Sequence, residues 1–207
     1  MSLLLQGILF GLTLAILLGP IFFTVIQLSL QKGSKAGLTS CAGVWVSDFL
    51  FIILTYLFIK EIDQFISDST FTYWMGLVGG FVLIVFGVAT FFNNSKLNFE
   101  KQKHTKNDYF TFFSKGFLVN TINPFTLIFW LTVISTKVIG EKISNSDATI
   151  FFGAIMMVII VTDFIKVFLA KLIRNRLKVH HFTLISKVAG VGLMIFGLVF
   201  LWKSQSL

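Results

Sequence analysis

Charged residues are scarce in this sequence, and their scarcity argues against a soluble globule. Only 13% of the 207 residues are Asp, Glu, Lys or Arg, whereas 56% are hydrophobic. A soluble protein of this size needs more polar side chains to cover its surface. Lipid is therefore the expected solvent. The net charge of +8 is expected to reflect membrane topology and anionic lipid rather than a nucleic-acid partner.

Cysteine and histidine are also rare, which limits the chemistry that the chain can carry. The single Cys41 excludes an intramolecular disulfide and a paired-cysteine redox or zinc site. His104, His180 and His181 fall in basic loops and are expected to be solvated. The sequence has no nucleotide-phosphate loop, metalloprotease helix, Gly-x-Ser-x-Gly or Cys-x-x-Cys motif. We therefore predict no enzymatic activity, no cofactor and no metal site.

Long apolar runs are what the sequence has in abundance. A helix needs about 20 apolar residues to cross a hydrocarbon core about 30 Å thick. The first run has no Lys or Arg as far as Phe10 and outlasts a signal-peptide core, so we expect it to be a retained span that tilts, breaks or protrudes. The chain is thus predicted to be an all-α membrane protein with six transmembrane helices. The six runs are Leu3 to Leu30, Gly37 to Ile59, Tyr73 to Phe92, Gly116 to Thr136, Thr149 to Leu172 and Leu184 to Trp202.

Lysine and arginine are distributed unevenly among the loops, and this predicts the orientation. Cytoplasmic loops of membrane proteins retain the positive charge. Twelve Lys and Arg residues follow the first, third and fifth runs, and only four, at positions 60, 137, 142 and 203, lie on the other side. Both termini are therefore expected outside. The predicted organisation is a three-helix unit over 1–92, a basic cytoplasmic loop over 93–115 and a second three-helix unit over 116–207.

The two units resemble each other, which predicts an internal repeat. Residues 78–87 and 188–197 are identical at five of ten positions, and Ser47-Asp48-Phe49 corresponds to Thr162-Asp163-Phe164. The first and fourth runs each hold one of the chain's two prolines. Because each unit has three helices, the second must enter the membrane in the opposite direction, as in the inverted repeats of secondary transporters. The alternative is coincidence among abundant apolar residues.

The two prolines are expected to break their helices near the membrane midplane. Pro20 and Pro124 each lie about ten residues from a cytoplasmic loop, or about 15 Å deep. Each should free the carbonyl four residues earlier, that of Ile16 or Asn120, and exposed half-helix N-termini would attract a substrate carboxylate. Simple packing kinks are the alternative. The predicted substrate-binding residues are Gly19, Pro20, Asp48, Asn120, Asn123 and Pro124.

Two aspartates lie too deep in their runs to reach the interface easily. A charge at a helix centre costs about 2.5 to 3.5 kcal/mol on insertion scales, so Asp48 and Asp163 are functional candidates. Either carboxylate could couple transport to protons or bind a cationic amine. Lys166 lies three residues after Asp163 on the same helical face and is expected to form an ion pair with it. That pair offers a purely structural explanation for Asp163.

With these motifs the chain resembles the LysE/RhtB family of amino-acid exporters. The resemblance lies in Leu18-Gly19-Pro20, in Gly33-Ser34-Lys35-Ala36-Gly37-Leu38 with the following Gly43 and Asp48, and in Gly116-Phe117-Leu118-Val119-Asn120-Thr121-Ile122-Asn123-Pro124. It implies a multi-pass protein of the bacterial inner membrane that exports amino acids on the proton gradient and often forms homo-oligomers. Leu18 stands where the family usually has a proline and Phe125 where a lysine is common, which leaves the substrate open.

Three other functions remain open from the sequence. A divalent metal-cation exporter of related architecture could use paired intramembrane carboxylates, although no ligand cluster is apparent. An intramembrane aspartyl protease could share one proton between two aspartates, but neither Asp48 nor Asp163 stands in a Gly-x-Gly-Asp motif. A membrane protein without transport activity is the third, and the repeated helix breaks argue against it.

Overall fold

The computed structural model describes residues 2–16, 19–58, 69–92, 105–141, 143–173 and 179–204. Every regular element in these ranges is helical. Leu18 and most of the basic loop residues before 105 lie outside the described residues, as do the side chains of His180 and His181. The elements are α1 (Leu3–Ile16), α2 (Pro20–Lys32), α3 (Ser34–Leu57), α4 (Ser69–Phe91), α5 (Lys106–Ile122), α6 (Pro124–Ile134), a π-helical turn (Ser135–Gly140), α7 (Asn145–Ile173) and α8 (Val179–Ser204).

Up to five of the six predicted spans have the length and apolarity of a membrane crossing. The helices α3 and α7 and residues Ser186–Ser204 of α8 qualify singly. The pairs α1 with α2, bent by 69°, and α5 with α6, bent by 61°, qualify together. The remaining predicted span corresponds to α4, whose apolar part Gly76–Phe91 is shorter than these.

Both bends lie at the predicted prolines, and the geometry has a simple cause. A proline lacks the N–H of a continuing helix but suits the first helical position. It also drives the residue before it into extended backbone. Gly19 accordingly has φ −101° and ψ −174° and precedes α2, and Asn123 has φ −70° and ψ 114° and precedes α6.

The helix α5 begins at Lys106, ten residues before the predicted start and inside the predicted basic loop. The cause is a capping box. The Oδ2 of Asp108 accepts the backbone N–H of Thr105, and the hydroxyl of Thr105 accepts the backbone N–H of Asp108. Reciprocal capping of this kind fixes a helix start even in a polar segment.

Glycines allow three helix pairs to approach closely, α1 with α7, α3 with α5, and α4 with α8. A Cβ atom at Gly43 would overlap the carbonyl oxygen of Phe113, and one at Gly116 would overlap that of Ser40. Contact at the backbone lets helices pack by dispersion forces where lipid offers no hydrophobic driving force between them. These pairs bring the bend in the first span and the bend in the fourth against α3 and α7.

The largest buried cluster lies at the α6–α7 contact and is centred on Trp130, Phe151 and Ile155, each 0% exposed. Other large apolar side chains point outward, among them Phe81 on α4 and Phe168 on α7. Exposed apolar side chains on this scale are expected where lipid is the solvent.

Candidate functional site

Asp48 is the most buried charged residue near the bends, and only one of its oxygens is engaged. It lies in the middle of α3 with 1% of its surface exposed. Its Oδ1 accepts hydrogen bonds from the side-chain amide of Asn120 and from the indole N–H of Trp130, both at 2.9 Å. Among the described residues no donor meets Oδ2. Two neutral donors hold this carboxylate in place and leave its second oxygen available.

A chain of hydrogen bonds joins Asp48 to the break between α5 and α6. The hydroxyl of Thr126 donates to the Oδ1 of Asn120 at 2.9 Å, and the Nδ2 of Asn123 donates to that hydroxyl at 3.0 Å. Asn120 also donates to the carbonyl of Val44 at 3.2 Å. The two half-helices are therefore tied together and to α3 by buried polar groups.

Asn123 caps α6. Its Oδ1 accepts the backbone N–H of Phe125 at 3.3 Å, and its carbonyl accepts the N–H of Thr126 at 3.1 Å. The prediction that Pro124 leaves the carbonyl of Asn120 free is wrong, because that carbonyl accepts the backbone N–H of Asn123 at 3.2 Å. A tight turn before Pro124 thus gives the carbonyl of Asn120 a hydrogen-bond donor, which Pro124 cannot provide because it has no N–H.

Asp163 differs from Asp48 in that both of its oxygens are occupied. It is 3% exposed in α7. Its Oδ1 accepts from the Nζ of Lys166 at 2.9 Å, and its Oδ2 accepts from the indole N–H of Trp45 at 2.9 Å. The charge of Asp163 is therefore balanced within its own helix.

One cavity is bordered by residues from both breaks and from α3 and α7. The predicted residues Gly19, Asp48, Asn120, Asn123 and Asp163 all line it, together with Lys166. Pro20 is buried at the start of α2 and is not part of the lining. The side chain of Pro124 lies outside the described residues. The prolines thus shape the site by breaking the helices.

The lining of the cavity includes both polar and apolar groups. The N-terminus of α2 is one of the polar groups, since its N-cap residue, Gly19, provides no side-chain cap. An uncapped helix N-terminus carries partial positive charge and free N–H groups. The apolar lining residues are Leu14, Ala15, Ile21, Phe22, Val44, Phe125 and Ile159.

Three polar partners of the site were not predicted from the sequence as such. Trp45 and Trp130 were not among the predicted site residues, yet each indole N–H donates to an aspartate. Trp45 stands three residues before Asp48 in α3, but it bonds Asp163 on another helix. Thr126 had no sequence signal, because its partner Asn120 lies across a bend whose angle the sequence does not specify.

Within the described ranges no group of three or more His, Cys, Asp and Glu side chains could hold a metal ion.

Comparisons with known proteins identify the family of the chain. The family model described as LysE type translocator matches residues 12–204. The chain is similar to the "Putative amino acid efflux protein YcgF" of Bacillus subtilis (strain 168), with 26% identity over 202 residues that cover 97% of this chain and 95% of the relative. No solved structure matches the chain. With the match spanning most of its length, and with several apolar helices, this chain is a multi-pass membrane protein that belongs to the LysE type translocator family.

Proposed function

We propose that this protein is a secondary transporter that exports amino acids across the bacterial inner membrane in exchange for protons. The observation that carries the proposal is the buried Asp48, which lines a cavity at two helix breaks and has one carboxylate oxygen that no donor among the described residues engages. A carboxylate oxygen that is not engaged and lies at a cavity can bind a cationic group or a proton. The efflux function in the name of the Bacillus relative supports an amino acid as that ligand.

An amino acid fits the charges of the cavity in one orientation. Its ammonium group binds the free Oδ2 of Asp48. Its carboxylate binds at the N-terminus of α2, where Gly19, Ile21 and Phe22 line the same cavity as Lys166. Each end of the zwitterion then binds a group of the protein that has the opposite charge or partial charge.

Coupling to protons follows from the same oxygen. In the outward-open state the ammonium group leaves Asp48 and a proton takes its place on Oδ2. In the inward-open state that proton is released, and the next ammonium group binds. Asp163 is bound to Lys166 and Trp45, so it contributes a fixed, neutralised charge rather than the exchanging one.

Alternating access is supported by reciprocal contacts within the chain. A Cβ atom at Gly80 would lie 2.8 Å from the carbonyl oxygen of Gly197, and one at Gly190 would lie 2.7 Å from that of Gly87. In the aligned repeats Gly80 corresponds to Gly190 and Gly87 to Gly197, so a single two-fold operation relates the two contacts. The pairs α1 with α7 and α5 with α3 are related in the same way. These contacts support the proposal of six spans in two inverted units, and the distribution of Lys and Arg among the loops supports the proposal that both termini lie outside.

The alternatives have less support. A divalent-cation exporter would need more hard oxygen ligands than the carboxylates of Asp48 and Asp163. An aspartyl protease needs two carboxylates that share a proton, whereas these two bond separate partners: Asn120 and Trp130 in one case, Lys166 and Trp45 in the other.

The test is amino-acid efflux from cells loaded with dipeptides. Cells that express the protein are compared with cells that express Asp48→Asn and with an empty vector, across all twenty amino acids. Asp147→Asn is the matched control, because Asp147 lies in the first turn of α7 outside the cavity. We expect faster efflux of some amino acids that is lost in Asp48→Asn and kept in Asp147→Asn. No faster efflux of any amino acid, with the protein present in the membrane, would refute the proposal.

A further inference from the structure

We infer that the exported amino acids have an uncharged, apolar side chain. This inference rests on the proposed function, and it concerns the part of the cavity that the zwitterionic end of the substrate does not use. Two observations carry it. Apart from one oxygen of Asp48, the charged groups of the cavity already have hydrogen-bond or ion-pair partners, and the other lining residues are apolar.

A cationic side chain has no free partner in the cavity. The carboxylate of Asp163 already accepts from Trp45 and Lys166, and the single free oxygen of Asp48 is used by the α-ammonium group. The ammonium of a lysine side chain would therefore be buried without a counter-ion or would have to displace Lys166. Burial of an unpaired charge is strongly unfavourable.

An anionic side chain is disfavoured for the opposite reason. The cavity contains two aspartates and one lysine, and that lysine is already paired. A second substrate carboxylate would lie near Asp48 and Asp163 and would lack a cation of its own. Like charges at close range in a poorly solvated site repel each other.

The remaining lining residues, called the wall here, are apolar and come from five helices. Leu14 and Ala15 lie on α1, Ile21 and Phe22 on α2, Val44 on α3, Phe125 on α6 and Ile159 on α7. Each bend contributes an aromatic ring from the first turn of the following half-helix, Phe22 two residues after Pro20 and Phe125 directly after Pro124. A substrate held at its α-carbon by Asp48 and the α2 N-terminus would direct its side chain to this wall, where burial of apolar surface is favourable.

Phe125 is a wall residue that makes an aromatic contact with a residue outside the cavity. Its ring meets that of Phe196 on α8 edge to face, with centroids 5.6 Å apart and an interplanar angle of 83°. Contacts of this geometry are the favourable ones for aromatic pairs. Phe196 itself is 55% exposed and does not line the cavity, so the pair provides a wall residue and a matched control.

The first experiment compares substrates with the full chain in proteoliposomes. Vesicles hold equal concentrations of leucine, lysine or glutamate, each labelled, and efflux is measured under the same imposed gradient. We expect leucine to leave at least about tenfold faster than the other two, which corresponds to about 1.4 kcal/mol in the rate-limiting barrier. Lysine or glutamate efflux as fast as that of leucine overturns the inference and leaves the exporter proposal intact. If none of the twenty amino acids leaves faster in the dipeptide-loaded cells described above, the exporter proposal itself fails.

The second experiment tests whether substitutions of Phe125 change the substrate specificity. Phe125→Glu places a carboxylate in the wall and is expected to raise the ratio of lysine to leucine efflux at least about tenfold. Phe125→Ala, which adds no charge, is expected to raise the ratio of tryptophan to leucine efflux because the smaller side chain enlarges the cavity. Phe196→Ala removes the same ring contact from outside the cavity and should change neither ratio. If both Phe125 variants keep the wild-type ratios, the side chain does not bind at this wall and the inference fails.

Discussion

At the scale of the residue, Asp48 and Asp163 carry the same carboxyl group but have different partners. Each accepts a hydrogen bond from a tryptophan indole. Asp163 has in addition the ammonium of Lys166, whereas the other partner of Asp48 is the neutral amide of Asn120. A carboxylate that is already neutralised is a poor exchange site, so the difference in partners predicts a difference in the effect of mutation.

Removal of the indole donors should separate these roles. Trp130→Phe keeps an aromatic ring but deletes the hydrogen bond to Asp48. We expect efflux to fall about tenfold, because a hydrogen bond to a charged group contributes about 1.5 to 3 kcal/mol. Trp45→Phe deletes the corresponding bond to Asp163 and should cost less, since Lys166 still holds that carboxylate. Initial efflux rates at matched membrane levels test the order, and a larger loss in Trp45→Phe would contradict it.

The ion pair between Asp163 and Lys166 should act mainly on stability. Lys166→Met leaves the buried carboxylate without its cation, and breaking a buried pair in this way costs about 3 to 5 kcal/mol. Asp163→Asn combined with Lys166→Met removes both charges and should recover most of that loss. Thermal denaturation of the purified proteins in detergent measures both effects. A single variant as stable as the wild type, or a double variant less stable than the single one, would show that the pair does not have this role.

At the scale of the element, the bends are held by polar groups that cross them. Thr126 receives a hydrogen bond from Asn123 and donates one to Asn120, so it joins α6 to the end of α5. Both amides depend on it, and both are buried, with 1% of Asn120 and 3% of Asn123 exposed.

Thr126→Val is therefore expected to destabilise the protein by about 1 to 3 kcal/mol, since it leaves two buried polar groups without partners at little change in shape. Efflux should fall as well, because Asn120 is no longer oriented toward Asp48. Thr149→Val is the control, as Thr149 is exposed and bonds only a carbonyl of its own helix. The melting temperature and efflux rate of each variant are compared with the wild type. Equal effects of the two substitutions would refute a special role for Thr126.

The contact between α3 and α5 gives a second test at this scale. Gly116→Ala places a Cβ atom on the carbonyl of Ser40, whereas Gly153→Ala meets nothing within 4 Å. We expect the first variant to lose about 1 to 3 kcal/mol through overpacking and the second to be close to neutral. Thermal denaturation distinguishes them. A stable Gly116→Ala protein would mean that α3 and α5 are not in backbone contact.

At the scale of the whole molecule, the sequence was informative where a residue type enforces a local geometry. Proline must interrupt a helix, so both bends were predictable from Pro20 and Pro124. A buried aspartate needs a partner, and Lys166 one turn away was the nearest candidate. The family motifs gave the class of transporter, which the match over residues 12–204 confirms.

The rest depended on tertiary packing. That Trp45 bonds Asp163 rather than Asp48, which shares its helix, follows from how α3 lies against α7. That Asn120 reaches Asp48 follows from the close α3–α5 contact. Neither approach is encoded in spacing along one helix. The start of α5 at Lys106 was not predicted for another reason. The segment before Gly116 is polar and charged, which favours a loop, but the Thr105–Asp108 capping box within it starts a helix.

The central claim is that one oxygen of Asp48 binds the substrate ammonium group and a proton in turn. Its most direct test is amino-acid efflux from proteoliposomes with and without an imposed proton gradient, acidic outside, for the wild type and Asp48→Asn. The account predicts that the gradient accelerates efflux of the exported amino acid in the wild type and has no effect in Asp48→Asn. The same acceleration in both proteins would contradict it.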